Sequence, residues 1–566
     1  MKPNLRRKAG KPRILIIGGV AGGASCAARA RRLSEEAEII IFERGPHVSF
    51  ANCGLPYYVG DVITEEANLL IATPGLFRQR FNIDVRVQSE VRAIDRDRKE
   101  IEVENIATGQ VYRERYDALV LSPGARPIRP QLRGIDLPGI FTLSTIPQGC
   151  DIREWIEARK VKRAVVVGGG FIGLEMAENL SRRGIAVTIV EMLPQVMPPL
   201  DPEMAMPLQE HLAARGVSLC LDDALSGFEP STGGESITII TKSGKRHQSG
   251  MVILAIGVRP ETRLASDAGL KTGDLGGIRV DEHMRTSDER IWAVGDAVEV
   301  KDFVTGEWKL TPLAGPANRG GRIAADAIFG RSVRFRGTQG TAVCQVFDMT
   351  VALTGASEKT LKRPTSEGPP IPFDKIYLHT RHHAGYLPGA KDITIKLLFS
   401  TPEGRILGAQ AIGEAGIDKR IDVISLAIQR GSTVFDLEEA ELCYSPQFGA
   451  AKDPVNIAGM IAANALRGDA PLAHWEDIGP ARYTILDVRE PEEFTSGHAD
   501  GAVNIPLGSL RERLGELAHD SEIATYCRVG QRSYYATRIL RLNRFKASNI
   551  SGGITTHDIR KKIEKP

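Results

Sequence analysis

Two cysteines sit in settings suited to sulfur chemistry. Cys53 lies within Ser49-Phe50-Ala51-Asn52-Cys53-Gly54-Leu55-Pro56-Tyr57-Tyr58, just after a glycine-rich turn. Thiol exchange is carried by the thiolate, whose population follows nearby charge and helix ends. A dithiol centre with C-x4-C spacing would need its second cysteine at position 58, and Tyr58 stands there, so Cys53 works alone. Cys527 opens the run Cys527-Arg528-Val529-Gly530-Gln531-Arg532-Ser533. Successive backbone N–H groups in such a loop cradle an anion, here a thiolate or persulfide. A phosphatase-like loop needs C-x5-R, which would place arginine at 533, but Ser533 is there; Arg532 makes C-x4-R, the smaller ring associated with sulfur transfer.

The elements that must position Cys53 are two strand-turn-helix units. Arg13 to Ile17 is an apolar strand, Gly18-Gly19-Val20-Ala21-Gly22-Gly23 a tight turn, and Ala24 to Leu33 a helix. Backbone N–H groups at a helix start approach a pyrophosphate only where side chains are absent, and the helix dipole adds attraction. The next strand ends in Glu43, 25 residues after Gly18, where a ribose hydroxyl would be bound. The second unit is cleaner. Arg163 to Val167 leads into Gly168-Gly169-Gly170-Phe171-Ile172-Gly173, a full G-x-G-x-x-G, and the following strand ends in Glu191. Two such units predict two dinucleotides. An acid at 191 accepts a hydrogen bond from a free 2′-hydroxyl and repels a 2′-phosphate, so NADH is expected over NADPH.

Composition narrows the class. The chain has 566 residues, enough for three or four domains, and 73 basic against 70 acidic residues give a net charge of +3, which argues against a nucleic-acid binder. Seven cysteines without paired spacing predict free thiols in a reducing compartment and no zinc site. The run Ile14 to Ile17 is too short for a signal peptide, and no run approaches the ~18 apolar residues of a membrane span. The expectation is a cytoplasmic protein with a short disordered basic tail over Met1 to Lys11.

Ser-Phe-x-x-Cys-Gly-x-Pro-Tyr after a Gly-Gly-Val-Ala-Gly-Gly loop resembles the coenzyme A disulfide reductases and NADH-dependent persulfide reductases, single-cysteine members of the flavin disulfide reductase superfamily. The likeness extends over nearly the whole chain. It implies FAD on the first unit, with Gly18, Gly19, Ala21, Gly22, Gly23, Glu43, Arg44, Asn52, Ser122, Gly124 and Ala314 around it. Ile291-Trp292-Ala293-Val294-Gly295-Asp296 resembles the second FAD motif, giving Gly295 and Asp296. It implies NADH on the second unit, at Gly168, Gly170, Phe171, Ile172, Gly173, Glu175, Glu191 and Gly257. By position, Ser25, Arg29, Arg32, Ser49, Asn52, Asn318, His382 and Lys452 match the coenzyme A contact set. Tyr386 in His382-His383-Ala384-Gly385-Tyr386 and Tyr444 in Tyr444-Ser445-Pro446 match tyrosines that reach the partner subunit's cysteine, which implies a homodimer. Asp487-Val488-Arg489, His498, Gly501 to Pro506 and the Cys527 loop resemble a rhodanese domain, with Cys527 and Arg532 catalytic.

The expected fold class is α/β: two Rossmann-like dinucleotide-binding domains for FAD and NAD, an α+β dimerisation domain and a C-terminal rhodanese-like α/β domain. The expected boundaries are 12–125 with 258–335 for FAD, 126–257 for NADH, 336–467 for dimerisation, and 468–566 for a linker, around Gly468 to Ala481, with the rhodanese-like domain. The expected activity is FAD-dependent NADH:persulfide, polysulfide or coenzyme A disulfide reduction, with Cys527 carrying sulfane sulfur. Two alternatives stand beside it: an NADH oxidase or peroxidase cycling Cys53 through sulfenic acid, and a flavoprotein redox sensor or sulfur carrier with little turnover.

Overall fold

The computed structural model describes residues 11–231, 236–366, 368–479 and 482–564. The basic tail over Met1 to Gly10, and Ala481 at the end of the expected linker, lie outside the described residues. The chain divides into two compact units, Met1–Val196 with Gly216–Gly340, and Met197–Arg215 with Thr341–Pro566.

The first unit is organised by two parallel sheets. One has the strand order Ile291–Ala293, Ala118–Leu121, Arg13–Ile17, Glu38–Phe42, Asp84–Arg86. Its three central strands are near-continuous runs of Ile, Leu and Val, as expected where both faces are covered, and Ile14, Leu15, Ile16 and Ile41 are fully buried. Helices Ala21–Leu33 and Ala314–Ile328 cross beside it almost without side chains between them: a Cβ on Gly321 would lie 2.2 Å from the Gly22 carbonyl oxygen. The second sheet runs Ser218–Cys220, Ala186–Val190, Arg163–Val167, Met251–Leu254, Ile140–Phe141. The chain leaves the first sheet after Leu121 and returns to it at Ile291. The two crossings pair with each other, Ala125–Pro127 against Val258–Pro260, as a short antiparallel ribbon. The second sheet is thus built from chain inserted between two strands of the first.

The second unit holds a five-stranded antiparallel sheet, ordered Ala342–Val346, Met349–Gly355, Ile406–Gly413, Asp392–Ser400, Phe373–Arg381, backed by helices Ile417–Arg430 and Pro454–Leu466. After Gly468 comes a parallel sheet, Leu472–Ala473, Lys546–Ile550, Glu522–Tyr526, Tyr483–Asp487, Val503–Asn504, with helices Pro491–Ser496, Gln531–Leu542 and Gly553–Glu564. The segment Met197–Arg215, inside the stretch assigned from sequence to the NADH domain, groups with this unit. A buried ion cluster accounts for it. Lys396, 0% exposed, places its ammonium 2.9 Å from Asp201, 2.5 Å from Glu203 and 2.6 Å from Glu358. Those carboxylates have the spacing of a cation site, and the lysine stands where the cation would. Glu358 also accepts from Lys375 at 2.7 Å, and Lys375 in turn pairs with Glu476 of the C-terminal domain.

Candidate active sites

Cys53 lies in a single 3-10 turn, Asn52–Gly54, and is exposed. The stretch is tied over the first glycine turn, because Ser49 donates its N–H to the Gly19 carbonyl at 2.9 Å and Ala51 donates to the Leu69 carbonyl at 2.7 Å. Asn52 Nδ2 donates to the Ser144 carbonyl at 3.2 Å. Ser49 takes a left-handed φ of 49°, unusual for a side-chain-bearing residue, which turns the chain towards Cys53. Partial burial of the sulfur, then the carboxylates of Glu175 and Asp296, raise the Cys53 pKa. Burial also lifts Glu175 to about 7 and Asp296 to about 6. The protein groups around this thiol hold its proton rather than release it.

The first glycine turn is a cradle with no room for side chains. A Cβ on Gly18 would meet the Ser122 carbonyl oxygen at 2.0 Å, one on Gly23 the Gly18 oxygen at 1.9 Å, and one on Gly22 the Ser122 hydroxyl at 3.1 Å. Helix Ala21–Leu33 begins with neither a side-chain cap nor an acidic residue in its first turn, so its free N–H groups suit a pyrophosphate. Glu43 does more than the ribose role expected of it. One carboxylate oxygen accepts from Gly19 N–H at 2.9 Å and the other from Gly45 N–H at 2.9 Å. Gly295 and Asp296 form the turn after strand Ile291–Ala293, and Gly295 approaches Ser122, whose hydroxyl would lie 3.4 Å from a Cβ there. Gly124 is left-handed at φ 72°, Ala314 opens its helix, and Arg44 lies 3.8 Å from Glu261.

The second turn repeats this design. A Cβ on Gly168 would lie 2.3 Å from the Ala255 oxygen and one on Gly173 1.9 Å from the Gly168 oxygen, whereas Gly170 faces open space. Helix Phe171–Arg182 starts there, uncapped. Glu191, 6% exposed, accepts from Gly169 N–H at 2.7 Å and Leu193 N–H at 2.9 Å. Each acid at a strand end thus clamps the second glycine of its own turn. Gly257, where the chain returns, is left-handed at φ 105°. Ile172 is exposed, and Glu175 lies one turn further along the same helix. The residues present fit one dinucleotide on each turn.

Of the coenzyme A set in the first unit, Ser25 Oγ hydrogen-bonds Asn318 Oδ1, so the structure brings those two together. Arg29 is engaged by Asp326, through Nε at 3.1 Å and Nη2 at 2.7 Å, while Arg32 is exposed. In the second unit the Tyr386 and Tyr444 hydroxyls are 3.0 Å apart, on side chains 76% and 49% exposed. Ala384 N–H donates to the Gly449 carbonyl at 2.9 Å, which joins the two segments that carry them. Sequence reasoning missed Arg420, which is buried, pairs with Asp453 at 2.9 Å and donates to the His382 carbonyl at 2.7 Å. His382 Nδ1 accepts from Lys391 N–H at 2.9 Å, and Lys452 is exposed.

Cys527 ends strand Glu522–Tyr526 at the mouth of helix Gln531–Leu542 and is 1% exposed. Its sulfur accepts from Gly530 N–H at 3.2 Å and from the Ser533 hydroxyl at 3.5 Å. Gly530 is left-handed at φ 101°, which closes the loop. Arg532 is clamped by Glu493 through two hydrogen bonds of 2.6 and 2.7 Å, and those bonds hold the Glu493 carboxyl down at about 2. Neither Glu493 nor the donor role of Ser533 was read from the sequence; in Pro491-Glu492-Glu493-Phe494 two adjacent acids look alike until the helix turns one towards the loop. Asp487 and Arg489, in the motif before it, form a buried pair at 2.6 Å, and Arg489 also donates to the Gly497 carbonyl at 2.7 Å.

Comparisons with known proteins agree with this geometry. Residues 12–317 match the family model for pyridine nucleotide-disulphide oxidoreductases, 341–453 its dimerisation domain, and 471–556 the rhodanese-like domain. A solved structure of reduced Bacillus anthracis CoADR-RHD is 47% identical, covers 98% of both chains and superposes with a TM-score of 0.93. A NAD-dependent persulfide reductase from A. fulgidus is 36% identical over 96% of this chain and 99% of its own, at a TM-score of 0.87. Among curated relatives, an NADH oxidase of Methanocaldococcus jannaschii is 36% identical over 80% of this chain and 99% of its own, and a coenzyme A disulfide reductase of Staphylococcus epidermidis is 34% identical over 79% and 99%. Two glycine turns fit for dinucleotides, an exposed cysteine beside the first and a C-terminal rhodanese-like domain are therefore found in a chain that belongs to the pyridine nucleotide-disulphide oxidoreductase family.

Proposed function

We propose that this protein is an FAD-dependent NADH:persulfide or disulfide reductase acting on low-molecular-weight thiols of the coenzyme A type, with Cys53 as nucleophile and Cys527 as sulfane-sulfur carrier. The carrying observation is the placement of Cys53: exposed, with no cysteine at position 58 to pair with, and tied through Ser49 to the first glycine turn. Bound FAD would supply the two-electron relay between NADH and this sulfur. The Cys53 thiolate attacks one sulfur of a disulfide RSSR, forming a protein–substrate disulfide and expelling RS⁻. Two electrons from NADH then cleave that bond, returning Cys53 as thiolate and releasing the second RSH; the balance is NADH + H⁺ + RSSR giving NAD⁺ + 2 RSH. With a persulfide the products are RSH and H₂S. Glu175 and Asp296, which raise the Cys53 pKa, can hold the protons this exchange moves.

The NAD-dependent persulfide reductase structure covers 96% of this chain, whereas the NADH oxidase and coenzyme A disulfide reductase relatives cover 80% and 79%, and this favours sulfur reduction with a persulfide as acceptor. The paired Tyr386 and Tyr444 hydroxyls on an exposed face support a homodimer in which they meet the other subunit's Cys53. Seven free cysteines support a reducing, cytoplasmic location. The test is NADH consumption under anaerobic conditions with coenzyme A persulfide or coenzyme A disulfide, with thiol and sulfide measured. Turnover that stops when oxygen is removed would assign the chain to the oxidases.

A further inference from the structure

The Cys527 loop is braced from behind, and the brace rests on the antiparallel sheet of the second unit. Ile554 N–H donates to the Cys527 carbonyl at 2.9 Å, and Thr555 donates to the Arg528 carbonyl through its N–H at 3.1 Å and its hydroxyl at 2.9 Å. In a planar peptide the carbonyl and the N–H point opposite ways, so holding these two carbonyls turns the Arg528 and Val529 N–H groups to the other side of the loop. Gly553 is required for the approach: it is left-handed at φ 58°, and a Cβ there would lie 2.4 Å from the Cys527 oxygen.

The bracing turn is itself held by strand Phe373–Arg381, the outer strand of its sheet. Tyr377 donates its N–H to Ser551 Oγ at 2.8 Å, and His379 Nε2 pairs with Thr556 Oγ1 at 2.8 Å. The contact is close-packed, since a Cβ on Gly552 would lie 2.8 Å from Tyr377 Cβ. Ser551 and Thr556 are 4% and 2% exposed. Burial pushes His379 down to about 4, so its imidazole is neutral at ordinary pH and bridges Thr556 and Thr394. An edge strand is usually covered or blunted, and here the C-terminal domain covers it with hydroxyls.

We propose that Ser551 and Thr556 are positioning residues for sulfur transfer: anchored on Tyr377 and His379, they hold the turn that orients the Cys527 loop, so the dimerisation-type sheet completes the sulfur-carrying site. This rests on the reading of Cys527 as sulfur carrier. The test uses the full chain with Thr556→Val and, from the other side of the contact, His379→Phe. The rate of Cys527 alkylation by iodoacetamide at pH 7, followed by mass spectrometry of its peptide, should fall on the order of tenfold, the scale of one lost hydrogen bond. Thiosulfate:cyanide sulfurtransferase kcat should fall with it at unchanged KM. Thr556→Ser should restore both, and NADH-dependent disulfide reduction should stay at the wild-type rate in every variant. Wild-type alkylation of Cys527 in either folded variant overturns the proposal. If the unmodified protein transfers no sulfur while the alkylation rates still drop, the role given to Cys527 fails and the positioning stands.

Discussion

Cys53 is an exposed residue whose thiol pKa is raised by partial burial, Glu175 and Asp296; at Cys527 the side chain is buried and its sulfur accepts two hydrogen bonds. The two sulfurs therefore differ in access and in partners, Cys53 open to an incoming disulfide and Cys527 held inside a ring of donors. Cys53→Ser is expected to abolish NADH-dependent reduction of disulfides and persulfides. Cys527→Ser should abolish thiosulfate sulfurtransferase activity while sparing reduction of a small persulfide offered directly, and loss of that reduction would make Cys527 part of the reductase cycle. Removing the carboxylate in Glu175→Gln should lower the Cys53 pKa, so alkylation of Cys53 should set in at lower pH than in the parent. Glu493 gives a second pH signature. Its carboxyl is held at about 2 by Arg532 against an ordinary value of 4.5. The contribution is therefore full above about pH 4.5 and is lost as pH falls towards 2. Thermal melts of Glu493→Gln should lie below the wild type at pH 7 and converge with it near pH 2.

Each dinucleotide turn is one element repeated: strand, glycine turn, uncapped helix, strand ending in an acid whose two oxygens clamp neighbouring N–H groups. Both acids were expected at their strand ends, but as ribose ligands; the clamp on the turn is a finding of the structure. Glu191→Ala should therefore loosen Gly169 and, on the proposed NADH assignment, also remove an acceptor for the ribose. The NADH KM is expected to rise on the order of tenfold, equivalent to one net hydrogen bond, and more than the NADPH KM. Steady-state kinetics with both donors checks this, and an unmodified enzyme that already prefers NADPH would refute the assignment.

On the scale of the whole molecule, the second unit buries a chain of ion pairs within its apolar packing. Lys396 pairs with Asp201, Glu203 and Glu358 at once, and Lys375 carries the network on from Glu358 to Glu476. Burying such a cluster contributes little net stability, but removing one partner leaves charges stranded. Lys396→Met should cost about 3–5 kcal/mol, read as a lower denaturant midpoint; a variant as stable as its parent would show that the carboxylates find water. Sedimentation should find a dimer at micromolar concentration, and Tyr444→Phe should slow turnover with small disulfides while leaving flavin reduction by NADH intact.

What the sequence determined by itself was local. The tight turns at Gly18, Gly168 and Gly173 could be read because a turn that admits no Cβ is encoded within six residues. Tertiary structure alone decided which of Glu492 and Glu493 faces Arg532, that Arg29 is already paired with Asp326, and that Met197–Arg215 belongs with the second unit. It also decided that Tyr377 and His379 support a loop some 150 residues further along the chain. In each case the deciding interaction joins residues of ordinary type, and the burial that gives them their value exists only once the chain has folded.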